Sequence, residues 1–285
     1  MMTVLYDIRD YGGTGDGKTL CTEAVQKAVD VCHGAGGGVV LVPPGEYLIG
    51  TVRLKSNVEL RLAPGAVLSA SLNLDDYPDA DYGFFDPRKC PRGSARCLIF
   101  AGQCENVSIT GQGKIDCKGR FFLREETENG KTRFVRTSDR LPGRMLFFMS
   151  CRNVVLSDFL LSDMAGGWGA WINDCDNVSV SRVRMECDER YPNADGVHIN
   201  CSSDVTVSDC ILRTGDDSVV VRAACNTLKE KRPCRRVTVS GCMLSSGCQG
   251  VRIGWRNDYE IKDCLFSDLV IESRHTGIAA ELPHH

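Results

Sequence analysis

Two short segments of the 285-residue chain concentrate carboxylates: Tyr191-Pro-Asn-Ala-Asp-Gly-Val-His-Ile and Thr214-Gly-Asp-Asp-Ser-Val-Val-Val-Arg. They align with each other and with a third segment. Asp195-Gly-Val-His-Ile matches Asp217-Ser-Val-Val-Val, and both match Gln249-Gly-Val-Arg-Ile, so positions 195, 217 and 249 are expected to stack in adjacent layers with Asp216 alongside. Carboxylates held within a few ångströms repel one another, which costs stability and raises at least one pKa unless cations compensate. A scaffold gains nothing from that. Glycosidic hydrolysis does, because it needs one protonated and one ionised carboxyl flanking the scissile bond. Asp216-Asp217 alone would read equally well as a solvated turn; Asp195 in register makes the set Asp195, Asp216 and Asp217 a candidate catalytic cluster.

The elements that must position these residues follow from a repeat. Cys104-Glu-Asn-Val-Ser-Ile, Cys151-Arg-Asn-Val-Val-Leu, Cys175-Asp-Asn-Val-Ser-Val and Cys234-Arg-Arg-Val-Thr-Val share one frame, and Ser202-Ser-Asp-Val-Thr-Val fits it. The valines at 107, 154, 178, 205 and 237 lie 47, 24, 27 and 32 residues apart, and Tyr259 is expected at the next equivalent place. Each unit alternates apolar and polar residues with period two, the mark of a strand with one buried face. No helix separates the units, so a doubly wound sheet is excluded and coils must stack on coils. The expected fold is all-β, a single-stranded right-handed parallel β-helix.

Residues 1–285 are expected to form a single domain, with 1–45 as an N-terminal cap region. Within the cap, Thr22 to Cys32 has apolar residues at 24, 25, 28, 29 and 31, an amphipathic helix that the run Gly34 to Gly38 terminates. Such a helix would cover the open edge of the first coil. The stretches 73–96 and 118–144 break the coil pattern and are expected to be surface loop insertions. The second carries Arg120, Arg124, Arg133, Arg136 and Arg140, which suits either a solvated loop or a substrate-gripping one.

Composition removes several functions. The formal charge of −3, from 34 basic and 37 acidic residues, gathers neither nucleic acid nor a membrane surface. The start lacks the order of a signal peptide, which predicts a cytoplasmic location. Sixteen cysteines without any C-x-x-C pair read as free thiols rather than disulfides or zinc ligands. A second series, Cys210, Cys242 and Cys264, is expected to form a further interior column. No metal or cofactor is expected.

These motifs resemble glycoside hydrolase family 28, the polygalacturonase-type enzymes with a pectin-lyase-like solenoid. Pro192-Asn-Ala-Asp-Gly is similar to the family's P-N-T-D-G, and Gly215-Asp-Asp-Ser-Val-Val-Val-Arg to its G-D-D-C-I-A-I-K. Tyr11-Gly-Gly-Thr-Gly-Asp-Gly-Lys, Val42-Pro-Pro-Gly-Glu-Tyr and Arg61-Leu-Ala-Pro-Gly-Ala extend the likeness towards the N-terminus. The resemblance implies hydrolysis with inversion of a pectin-like glycan. Asp216 would then be the general acid, and Asp195 and Asp217 would activate water.

Asn193, His198, Arg222, Gln249, Arg252 and Trp171 are the expected substrate-binding residues, with Arg222 offsetting the cluster's charge. Trp168 and Trp255 would flank the cleft, and Arg252 with Arg256 would form an anion site. Three departures stand out. Cys248 replaces the family's acid-orienting histidine, while Ala279 and Glu281 replace an Arg and a Lys that hold galacturonate, which predicts altered specificity. A non-catalytic carbohydrate-binding solenoid, and a polysaccharide lyase with aspartates on calcium and Arg222 as base, are the alternatives. Because Glu281-Leu-Pro-His-His stops inside a coil, either C-terminal coils are missing or a homo-oligomer covers the open end.

Overall fold

The computed structural model describes residues 4–79, 83–164 and 166–281. Among these, three parallel sheets of nine, nine and eight strands run side by side, and the chain visits each in turn. One coil illustrates the winding: Arg152–Ser157 in the first sheet, Leu160–Ser162 in the second and Trp168–Asn173 in the third, before Asp176–Ser181 begins the next. This is the expected parallel β-helix. No described helix is long and apolar enough to cross a membrane.

The repeat frame is the register of the first sheet. Val107 pairs with Val154, Val154 with Val178, Val178 with Val205 and Val205 with Val237, all buried inside the coil. Tyr259 does not continue the series; Val237 pairs with Cys264 instead. Between them Asp258 caps an irregular turn, accepting from the backbone N–H groups of Trp255 and Ala223, and this delays the next strand by five residues. The same delay removes Cys264 from the column expected of Cys210 and Cys242. The column Cys104, Cys151, Cys175 and Cys234 is buried as expected, with Ser202 in line.

All sixteen cysteines are free, and only Cys187, Cys225, Cys248 and Cys264 are partly exposed. A thiol reagent is therefore expected to label at most four cysteines in the native protein and all sixteen after denaturation. Native labelling of the buried column would show that the coils open.

The helix Thr22–Gly34 packs Ala24, Val25, Ala28, Val29 and Cys32 inward over the first coil. Val31, expected inside, is exposed because Cys32 takes the inward position. The insertions are more structured than expected. Residues 83–96 lay Phe85, Cys90 and Ala95 over the outer face of the third sheet, where they bury an aromatic column of Phe100, Phe147 and Trp171. Within 118–144, Leu123–Glu128 pairs antiparallel with Lys131–Arg136 through a turn at Asn129-Gly130, both with positive φ. That dipeptide favours the hairpin turn whose twist matches its strands. The hairpin docks Leu123 and Phe134 on Tyr191 and Ala194, directly ahead of Asp195.

In the last coil Leu265, Val270 and Ile278 are 53–63% exposed. Leu282–His285 lie outside the described residues.

Candidate active site

The carboxylates are set by the third sheet. Its strands Val197–Asn200, Val219–Arg222 and Gln249–Ile253 pair with Val197 opposite Val219 and Val219 opposite Val251. One residue earlier, Gly196 N donates to Asp217 O and Ser218 N to Gln249 O, each at 2.9 Å. Asp195, Asp217 and Gln249 therefore occupy successive rungs, as the alignment predicted. Close stacking requires glycine between them: a Cβ on Gly196 would lie 2.3 Å from Ser218 O. Gly196→Ala is expected to cost about 1–3 kcal/mol through overpacking, read from a denaturant midpoint.

Asp216 sits at the turn into the middle rung. The Thr214 and Ser246 hydroxyls each donate to its carbonyl at 2.7 Å, which fixes the backbone and turns the side chain to the rim. Its Oδ1 accepts from Asp217 N at 3.0 Å, and its Oδ2 faces the Asn193 amide at 3.4 Å. Asp195 and Asp217 are buried, whereas Asp216 keeps solvent access. Burial pushes the Asp195 carboxyl well above the usual range, with further upward pressure from Asp216 and Asp217. Burial, then the charge of Asp216, raises Asp217 to about 6 despite the hydrogen bond from Gln249 N.

His198 lines the cavity beside the cluster but is not a surface residue. It is 1% exposed, its Nδ1 lies 3.2 Å from Asp195 Oδ2, and its ring is stacked on Trp168 at 3.8 Å and parallel to Trp255 at 6.3 Å. Burial, reinforced by Arg222, Arg144 and Arg252, holds it neutral. In the tautomer protonated at Nδ1 it donates to Asp195 and orients that carboxylate. Trp171 is likewise buried, stacked on Phe147 at 4.5 Å, and forms the floor beneath Trp168.

Arg222 does not neutralise the cluster. It is committed to Asp258 at 2.9 Å and lies over Trp255, and its field acts on His198. The compensating cations are Arg252, which lowers Asp217, and Arg92, which lowers Asp195. Arg252 stands one rung before Ala279 in the same column and pairs with Glu281 at 3.4 Å. Arg256 is exposed and lines another depression with Lys229 and Lys231, whose lining does not include Arg252. Beside the cluster, a cavity of about 460 Å³ is lined by Trp168, Trp171, His198, Asn200 and Arg222, with Arg88–Pro91 of the first insertion as the far wall.

Cys248 Sγ faces Gln249 Oε1 at 3.0 Å and His275 Nδ1 at 3.5 Å, so an imidazole approaches from the following coil. The ligand atoms of Cys248, Asp216 and Asp217 lie within 4.8 Å of one another. Burial and the two carboxylates push the thiol up to about 12, and a protonated thiol beside hard oxygens is a poor cation site. His275, Arg92 and Arg144 were not singled out in the sequence. Arg144 was within reach, since Arg144, Trp168 and Asp195 share one column and the alignment needed only two earlier units. Arg92 lies in an irregular insertion where no period points to it.

Residues 32–279 match the model of glycosyl hydrolases family 28. The chain is 30% identical over 280 residues to a probable polygalacturonase of Vitis vinifera, covering 94% of this chain and 55% of that protein. It is 25% identical to an exo-poly-alpha-D-galacturonosidase of Dickeya chrysanthemi, covering 96% and 51%. The chain thus spans about half the length of these relatives. The family 28 exopolygalacturonase of Yersinia enterocolitica superposes with a TM-score of 0.78 at 24% identity, covering 98% of this chain and 56% of that one. An exopolygalacturonase from Thermotoga maritima gives 0.77 at 23%, covering 98% and 71%. By its matched length and its fold, the chain belongs to glycosyl hydrolases family 28.

Proposed function

We propose that this chain hydrolyses a glycosidic bond of a pectin-type glycan by single displacement with inversion. The observation that carries this is the stacking of Asp195 and Asp217 on successive rungs with Asp216 at the open rim. Asp216 and Asp217 lie within 4.8 Å of each other and Asp195 feels the charge of both, so the three titrate as a coupled set in which burial favours retention of a proton. Asp216, which alone of the three reaches solvent, protonates the leaving oxygen. Asp195 and Asp217 hold the attacking water, with His198 fixing Asp195. Because Asp216 and Asp217 approach within 4.8 Å, closer than the roughly 6.5–9.5 Å that admits a water between acid and base, Asp195 is the principal base.

The test is product stereochemistry on pectic and rhamnose-containing oligosaccharides. Proton NMR during the first turnovers is expected to show the inverted anomer, with activity unchanged by a chelator. A retained anomer, or an unsaturated ultraviolet-absorbing product, would overturn the proposal.

A further inference from the structure

Positive charge is arranged unevenly about the carboxylates. Towards the later coils, Arg252 is bound to Glu281 and Arg222 to Asp258. Towards the earlier coils, the rung before Asp195 carries Trp168, and the rung before that carries Arg144. Both insertions send one more arginine to this end. Arg92 donates through Nη1 to Gly166 O at 2.6 Å, and Arg136 lies so close over Gly166 that a Cβ there would meet its Cγ at 2.9 Å. Gly166 precedes Trp168 by two residues, and Trp168 stands one rung before Asp195, so both arginines meet the chain next to that rung.

No ion pair joins Arg92, Arg136 or Arg144 to a carboxylate among the described residues. Arg144 donates to Ser94 O and Pro91 O, and its buried Nε has no partner. Among the described residues Arg136 hydrogen-bonds Leu141 O, at 3.4 Å, and its buried Nε is unpartnered. Other arginines of the same insertion behave differently: Arg120 pairs with Glu125, and Arg124 and Arg133 pair with Glu126. Burial lowers Arg136 and Arg144 to about 10 each, with repulsion from Arg92 adding to it, so both remain charged at neutral pH. Arg92 is hemmed in by protein yet retains an exposed surface, and the charges it feels are those of Asp195 and Asp216. Arg92 thus feels Asp195 and Asp216 only through space, and Arg136 and Arg144 have no carboxylate partner among the described residues; guanidiniums gathered so at one edge of a site are costly unless an anion joins them.

We propose that Arg92 and Arg136, backed by Arg144, form an anion subsite on the earlier-coil side of Asp195 that takes the carboxylate of an acidic sugar next to the scissile bond. Guanidinium groups suit this task because their N–H donors match a carboxylate in pairs. The subsite stands at the opposite end of the cluster from Ala279 and Glu281, where Arg252 is already paired with Glu281. It deepens the hydrolytic function proposed above and rests on it.

The test uses trigalacturonate and its methyl ester as probes for wild type, Arg92→Gln, Arg136→Gln and Arg92→Lys. Wild type is expected to prefer the acid, and the acid-to-ester ratio of kcat/KM to fall about tenfold or more in each Gln variant, the equivalent of one charged hydrogen bond. Arg92→Lys should recover part of the ratio, and thermal melting should show that each variant is folded. A wild type indifferent to esterification, or Gln variants that slow both probes alike, overturns the subsite and leaves the hydrolytic function standing. If neither probe is cleaved, calorimetric binding decides in the same way: acid preference lost in the Gln variants supports the subsite, and no preference overturns it. Failure of the hydrolytic function is read separately, at Asp216.

Discussion

Replacing Asp216 with Asn is expected to lower kcat on a pectic oligosaccharide by about 10²–10⁴-fold, the usual contribution of a positioned general acid. Asn matches the carboxylate in size and keeps an acceptor for Asp217 N, and the backbone there is held by Thr214 and Ser246, so the fold should survive. What is lost is the transferable proton. A discriminating measurement follows from that role. On a glycoside whose leaving group departs without protonation, such as a nitrophenyl glycoside, the loss at Asp216→Asn should shrink, whereas Asp195→Asn should stay equally impaired on both substrates because water activation is still required. Near wild-type turnover of the oligosaccharide by Asp216→Asn would remove Asp216 from the mechanism. Equal loss on both substrates would assign it a role other than acid.

The cluster was legible because register is a property of the repeat. Once Asp195-Gly-Val-His-Ile, Asp217-Ser-Val-Val-Val and Gln249-Gly-Val-Arg-Ile are aligned, strand stacking at roughly 4.8 Å does the rest. Where the chain leaves the period, sequence lost its guide. The turn at Trp255–Glu260 has a length that no repeat dictates, so Tyr259 and Cys264 were misplaced. The hairpin at 123–136 was within reach, because Asn129-Gly130 between two polar alternating runs is a strong turn signal, but arginine content drew attention instead. The same repeats hide a second ladder. Asn57, Asn106, Asn153 and Asn177 all take positive φ, and each amide donates to the one before at 2.8 Å. The asparagines were visible as the third residue of several units; their turn conformation was not. The charges around the site were least legible, because Arg92 and His275 depend on which insertion or coil folds over which rung.

Replacing Asp217 with Asn is expected to abolish most activity and, at pH 7–8, to stabilise the protein. The native carboxyl is raised to about 6 from an ordinary value of 3.8, chiefly by burial and then by the charge of Asp216. For a carboxyl whose native pKa is raised, the native state binds more protons than the unfolded state between those two values, so its contribution makes stability fall as pH rises through that window. Above about pH 6 the full penalty is present; below about pH 4 it is gone. A shift of about two units at about 1.4 kcal/mol each bounds the effect near 3 kcal/mol. Asn removes the charge while its carbonyl still accepts from Gln249 N. Denaturant midpoints of wild type and Asp217→Asn should therefore diverge at pH 8 by about 1–3 kcal/mol and converge towards pH 4. The same carboxyl sets the acid limb of activity, since kcat/KM should decline below about pH 6 as Asp217 takes up its proton and stops holding the water. A variant that is less stable at pH 8 would mean that Asp217 is held by favourable partners rather than strained by its neighbours, and would withdraw the electrostatic basis for assigning the cluster to catalysis.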